Sequence, residues 1–145
     1  DEVLAYPIEN FGRLNRDSRL VVLSVALALY DANLNYGVGE KQDVGILGIN
    51  PCGALDTNLA YFRDYAQAGR KLGRGNFFIY TLPSSPLAEA AIAFGLQGPS
   101  AYLRSADNPE ENLLAQAQIM LENRETAAIA AVSWEPNSAT CYFMV

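Results

Sequence analysis

Three carboxylates gather in the stretch "SAYLRSADNPEENLLAQAQIM": Asp107, Glu110 and Glu111, with Tyr102 a few positions upstream. Such groups can divide the work of general acid and general base, provided that burial or a like-charged neighbour moves their pKa values apart. The run Ser100 to Ala106 predicts a short strand, and the apolar spacing from about Pro109 to Glu122 predicts an amphipathic helix. A helix N-terminus after a strand offers free backbone N–H groups and the positive end of a dipole, so Asp107 stands where an enzyme can place a nucleophile or hold an anion.

The same residues also fit a purely structural role. Asn108 is predicted to cap the helix, Pro109 suits the first helical position, and Glu111 falls three residues after the cap, as in a capping box. Asp107, Glu110 and Glu111 would then complement the dipole, each by ~0.3–1 kcal/mol. Capping, ligand contact and catalysis are thus three readings of Asp107, and its environment decides among them.

No histidine occurs anywhere in the sequence, which excludes Ser-His and Cys-His nucleophile pairs within this chain. A general base would have to be a carboxylate, Lys or Tyr. The two cysteines, Cys52 and Cys141, lack metal-ligand spacing, so neither a metal nor a cofactor is expected. Cys52 lies between a predicted strand and a predicted helix, a suitable place for a thiol, while Cys141 belongs to an apolar hairpin strand. Ten basic residues against sixteen acidic ones give a net charge of −6, which argues against nucleic acid or an anionic membrane as partner. The basic run "GRKLGRG", with Arg70, Lys71 and Arg74, is either a solvated loop or a docking point for an acidic partner.

These residues need a scaffold, and 145 residues, half of them hydrophobic, suit one domain with a single core over residues 1–145. The apolar run "LVVLSVALALY" falls short of the roughly 20 residues that span a bilayer, so a buried helix from Asn15 to about Leu34 is expected and no membrane anchor. The chain opens on Asp1 without a signal-like apolar segment, so the expectation is a processed or trimmed N-terminus and a cytoplasmic protein. "DVGILGI" predicts a strand covered on both faces. "GALDTNLAYFRDYAQAG" predicts a helix with Leu55, Leu59, Phe62 and Ala66 inward, "RKLGRGNFFIYTLPSSP" a loop, and "LAEAAIAFGLQGP" a short helix. Strands at Ala127 to Trp134 and Ala139 to Val145 flank "EPNS", a turn signal that pairs them as a hairpin. The tyrosines and phenylalanines at regular spacing are expected in the core. The alternation predicts an α/β fold, three layers with a mixed sheet and flanking helices.

The order of these elements, and above all "AFGLQGPSAYL", resembles the N-terminal half of the β-ketoacyl synthases, members of the thiolase-like condensing enzymes. The resemblance covers about Leu14 to Trp134. It rests on the Gly-Leu-x-Gly-Pro-Ser signature that precedes the active-site strand in that family. Family members continue into a cysteine that opens the next helix; here the matching continuation is "AYLRSAD", which puts Asp107 at the nucleophile position. The family's two catalytic histidines come from its C-terminal half and have no counterpart here. A carboxylate is a poor acyl acceptor beside a thiolate. The resemblance therefore implies a noncatalytic module of fatty-acid or polyketide assembly, pairing with itself or with a complete synthase and contacting an acyl carrier protein through Arg70, Lys71 and Arg74. An enzyme of other chemistry, using Asp107 with Glu110, Glu111 or Tyr102, is the alternative.

The family's counterpart of Cys52 is ordinarily a small structural residue, which implies a buried and inert thiol. Family members also begin with a central strand; here only "VLAYPI", Val3 to Ile8, is available, so either it supplies that strand or the sheet is rearranged. The family's pre-nucleophile strand pairs antiparallel across a two-fold axis, which implies a symmetric dimer joined through Ser100 to Ala106.

Overall fold

In a computed structural model of the chain, the residues described are 7–34, 39–71 and 73–145. The first long helix, α1 (Arg16–Asp31), starts where the Asn15 side chain accepts a hydrogen bond from the Ser18 N–H, at 2.9 Å. Then come β1 (Val44–Ile49), α2 (Leu55–Gln67), a one-turn helix α3 (Gly75–Phe78) running into a 3₁₀ turn (Ile79–Thr81), α4 (Ser85–Phe94), β2 (Ser100–Leu103), α5 (Pro109–Glu122), β3 (Ala128–Glu135) and β4 (Ser138–Met144).

The sheet order is β2-β1-β3-β4, with β1 parallel to both neighbours and β3 antiparallel to β4. Every residue of β1 is buried, as the unbroken apolar run requires of a strand covered on both sides. Side-chain alternation divides the core in two. Val44 and Ile46, with Ala128, Ala130, Val132 and Trp134, face α1 and α4, where Val22, Val25, Leu29, Leu87 and Phe94 are buried. Leu47, Ile49, Ile129 and Ala131 face α5 through Leu113, Ala117 and Met120. The mixed sheet between helical layers is the expected α/β architecture, and its hairpin turns at Pro136 and Asn137 as "EPNS" indicates.

Several expectations need correcting. Seven of the 16 residues of α1 are buried, but Leu23, Leu27 and Tyr30 form an exposed stripe on its outer side. Leu55, Leu59 and Phe62, expected inward, are exposed, because α2 packs on α3 and the 3₁₀ turn rather than on the sheet, and buries no residue. The segment read as loop holds α3 and that turn, anchored where the Tyr61 and Phe78 rings meet at 5.7 Å. Among the described aromatic residues, Phe94 and Trp134 reach the core, whereas Tyr30, Phe62, Phe77 and Phe78 are exposed. Residues Val3 to Tyr6 of the first-strand candidate lie outside the described residues. Among the described residues β1 is hydrogen-bonded directly to β3.

Candidate functional site

The carboxyl ends of the parallel strands gather the candidate residues. From β1 the chain crosses to β2 on one side, and from β2 it returns to β3 on the other, so the sheet has its switch point between β1 and β3. Open α/β sheets leave a crevice at that point, outside the carboxyl ends of the strands. Asn50, the first residue after β1, organises the loop beyond it. Its Oδ1 accepts from the Gly53 N–H at 2.6 Å, and its Nδ2 donates to the Gly53 carbonyl at 3.0 Å. Gly53 supplies the positive φ of 59° that this turn needs. Tyr102, from β2, donates its hydroxyl to Asn50 Oδ1 at 2.9 Å and approaches the Asn50 carbonyl at 3.1 Å.

Two clefts flank this loop. One, about 450 Å³, is lined by Cys52, Tyr102, Arg104, Ser105 and Pro109. It brings Cys52 to the β2–α5 corner that carries Asp107. The other, about 150 Å³, lies between β1 and β3 and is lined by Asp17, Asn50, Cys52, Asp56 and Trp134 among others. Gly48 leaves room for the Trp134 ring beside the second: a Cβ there would collide with Leu87 and with that ring. The Tyr102 and Trp134 rings meet edge-on at 6.0 Å across that glycine. Burial raises the Asp17 carboxyl above its ordinary 3.8, partly countered by the Trp134 N–H and raised further by Asp56. Burial likewise raises the Tyr102 phenol, while the Asn50 backbone and Arg104 pull it down.

At the corner itself, Asp107, Glu110 and Glu111 are all exposed. The Asn108 cap is not formed as expected. Asn108 occupies the cap position with φ 45° and ψ 55°, a left-handed conformation from which its side chain makes no cap hydrogen bond. Order comes from the helix instead: the Asn112 amide donates to the Asp107 carbonyl and to Ser105 Oγ, each at 2.7 Å. Glu110 accepts from the Tyr142 hydroxyl, tying the start of α5 to β4 and raising that phenol's pKa.

Cys52 is exposed, contrary to the buried thiol implied by the resemblance, because the Asn50–Gly53 turn carries it out of the sheet. Cys141 is the desolvated thiol, its pKa pushed up to about 12. The basic trio lies beyond α2, away from the corner. Arg74 pairs with Asp64 at 3.3 Å and covers the Phe77 ring, while Arg70 and Lys71 are exposed. Among the described residues, no group of three or more acidic or sulfur ligands could hold a metal, and no single helix is long and apolar enough to cross a membrane. Sequence reasoning missed Asn50, Asp17 and Trp134. An Asn-Pro pair ending a strand was the available signal for the first; the other two come from distant segments.

The mixed, mainly parallel sheet between helical layers, with its crevice at the carboxyl ends, is an α/β fold similar to that of ketosynthases and chain length factors. Among solved structures it is similar to the ketosynthase ApeO in complex with its chain length factor ApeC from Xenorhabdus doucetiae, with a TM-score of 0.66 and 16% identity over 93% of this chain and 52% of that one. It is also similar to the ishigamide ketosynthase/chain length factor, with a TM-score of 0.73 and 17% identity over 92% of this chain and 39% of that one. The chain thus spans about half, or less, of the length of these neighbours. No protein-family model matches the sequence, and no curated protein does.

Proposed function

We propose that this chain is a noncatalytic ketosynthase-like subunit, working in the cytoplasm in polyketide or fatty-acid assembly and pairing with itself or with a complete ketosynthase. The observation that carries the reading is the β2–α5 corner: a fold similar to ketosynthases and chain length factors has an exposed Asp107 there, in a sequence without histidine. An exposed carboxylate lacks the thiolate's nucleophilicity and the burial that tunes catalytic acids. Arg70 and Lys71, exposed at the end of α2, are the candidate contacts for an acidic carrier protein.

Coexpression with a ketosynthase encoded beside it, followed by affinity capture and size-exclusion chromatography, tests the pairing; a stable one-to-one complex is expected. Incubation with acyl-carrier or acyl-CoA thioesters should leave the intact mass unchanged. An acyl adduct lost in Asp107→Ala would overturn the noncatalytic reading.

A further inference from the structure

We propose that the crevice between the carboxyl ends of β1 and β3 binds a small neutral amide, whose carbonyl accepts hydrogen bonds from the Trp134 indole N–H and the first turn of α2, and whose own N–H donates to Asp17. The proposal goes beyond the subunit reading and does not depend on it.

Three observations carry it. Trp134 is 2% exposed, and among the described residues its indole nitrogen has no partner in full hydrogen-bond geometry. The N–H lies close enough to the Asp17 carboxylate to lower its pKa, yet outside full hydrogen-bond geometry, so a buried donor and an acceptor stand side by side on the crevice wall. A buried, unpaired donor is costly, and a group that accepts on one side and donates on the other satisfies both.

The first turn of α2 opens on the same crevice. Its cap residue Ala54 has no side chain to offer, and although Leu55 donates to the Cys52 carbonyl, the N–H groups of Asp56 and Thr57 have no acceptor among the described residues. Together with Trp134 they supply enough donors for both lone pairs of a carbonyl oxygen.

Charge selects a neutral ligand. Asp17, Asp56 and Glu135 line the crevice against Arg16 alone, and the Arg16 guanidinium is engaged by Asn137 in the β3–β4 turn. An anion would meet net repulsion there, whereas an amide presents the required acceptor and donor without charge. A space of about 150 Å³ admits a compact molecule or a single peptide unit.

Trp134 is the only tryptophan, so its emission reports on this crevice alone. The full chain is titrated with N-methylacetamide, with N-acetylglycine N-methylamide as a peptide source of the same group, and with sodium acetate as an anion of similar shape. A saturable change with either amide, and none with acetate, is the expected result; saturation by the peptide compound alone assigns the site to a polypeptide segment. Asp17→Ala should raise the half-saturating concentration at least tenfold, and Asp17→Asn, which keeps a carbonyl acceptor, should recover most of the loss. Bound amide should also slow modification of Cys52, on the crevice wall, by an aromatic disulfide. A linear, non-saturating response to both amides, or one unchanged in Asp17→Ala, would mean that water alone fills the crevice and would overturn the proposal.

Discussion

Asp17 and Trp134 show how one residue's titration reports on its neighbours. Because burial raises the Asp17 pKa, the folded chain holds that proton more tightly than the unfolded chain does. Unfolding free energy therefore falls as pH climbs from 3.8 to the folded value, and the Asp17 contribution is level above it. Asp17→Asn removes this titration, so the variant should gain on the wild type through that window and lose the advantage below it. Urea midpoints near about pH 3 and pH 7 check the sign. The cysteines give a second expectation. Cys52 is exposed, whereas Cys141 has its pKa pushed to about 12, so an aromatic disulfide should titrate one thiol in the native protein and both in denaturant. Rapid reaction of two native thiols would contradict the burial of Cys141. Neither Asp17 nor Trp134 stood out in the sequence, because an acid beside Arg16 and a tryptophan ending an apolar strand look ordinary until parallel topology brings the segments together.

Among the elements, those with a strong period were legible and those that depend on a distant partner were not. Helix α5 runs from Pro109 to Glu122 as its apolar spacing indicates, and the β3–β4 hairpin follows its turn signal. The start of α5 has different physics from the expected cap: Asn108 tolerates a left-handed backbone while Asn112 reaches back to Ser105 and Asp107. Asn108→Gly should therefore change stability by only a few tenths of a kcal/mol, and Asn112→Ala should cost about 1 kcal/mol. Denaturant titration giving the reverse order would restore the cap to Asn108. At the end of α4, Gly95 has φ 66°, and a Cβ there would overlap the Glu40 carbonyl. Gly95→Ala should cost more than about 2 kcal/mol, read from the shift of the thermal midpoint. Glycine and proline spacing made 70–86 look like loop; it is the Tyr61–Phe78 contact and the Tyr80–Glu89 hydrogen bond, neither visible in local sequence, that accompany helical turns there.

For the whole molecule, the open surfaces define what must meet it. Among the described residues β2 pairs only with β1, leaving its far edge open to extend the sheet, while Leu23, Leu27 and Tyr30 stand exposed on α1. Under the subunit reading, sedimentation at micromolar concentration should show a dimer or a tight complex with a ketosynthase. Leu103→Pro should weaken that association by removing a ladder donor. A folded, non-associating monomer that also ignores the ketosynthase would remove the basis for the pairing. The general architecture was readable because strand and helix periods alternate so regularly; the exposed face of α2 was not, since an amphipathic pattern says which side is apolar and not what lies against it. The order of the strands also bears on how the chain is made. Val44 takes its partner Ala128 from near the other end of the sequence, so β1 leaves the ribosome long before the strand that shields it. A fully apolar segment therefore waits without its central neighbour through most of synthesis, and nascent-chain lengths that stop short of β3 should be the ones that chaperones hold and proteases cut.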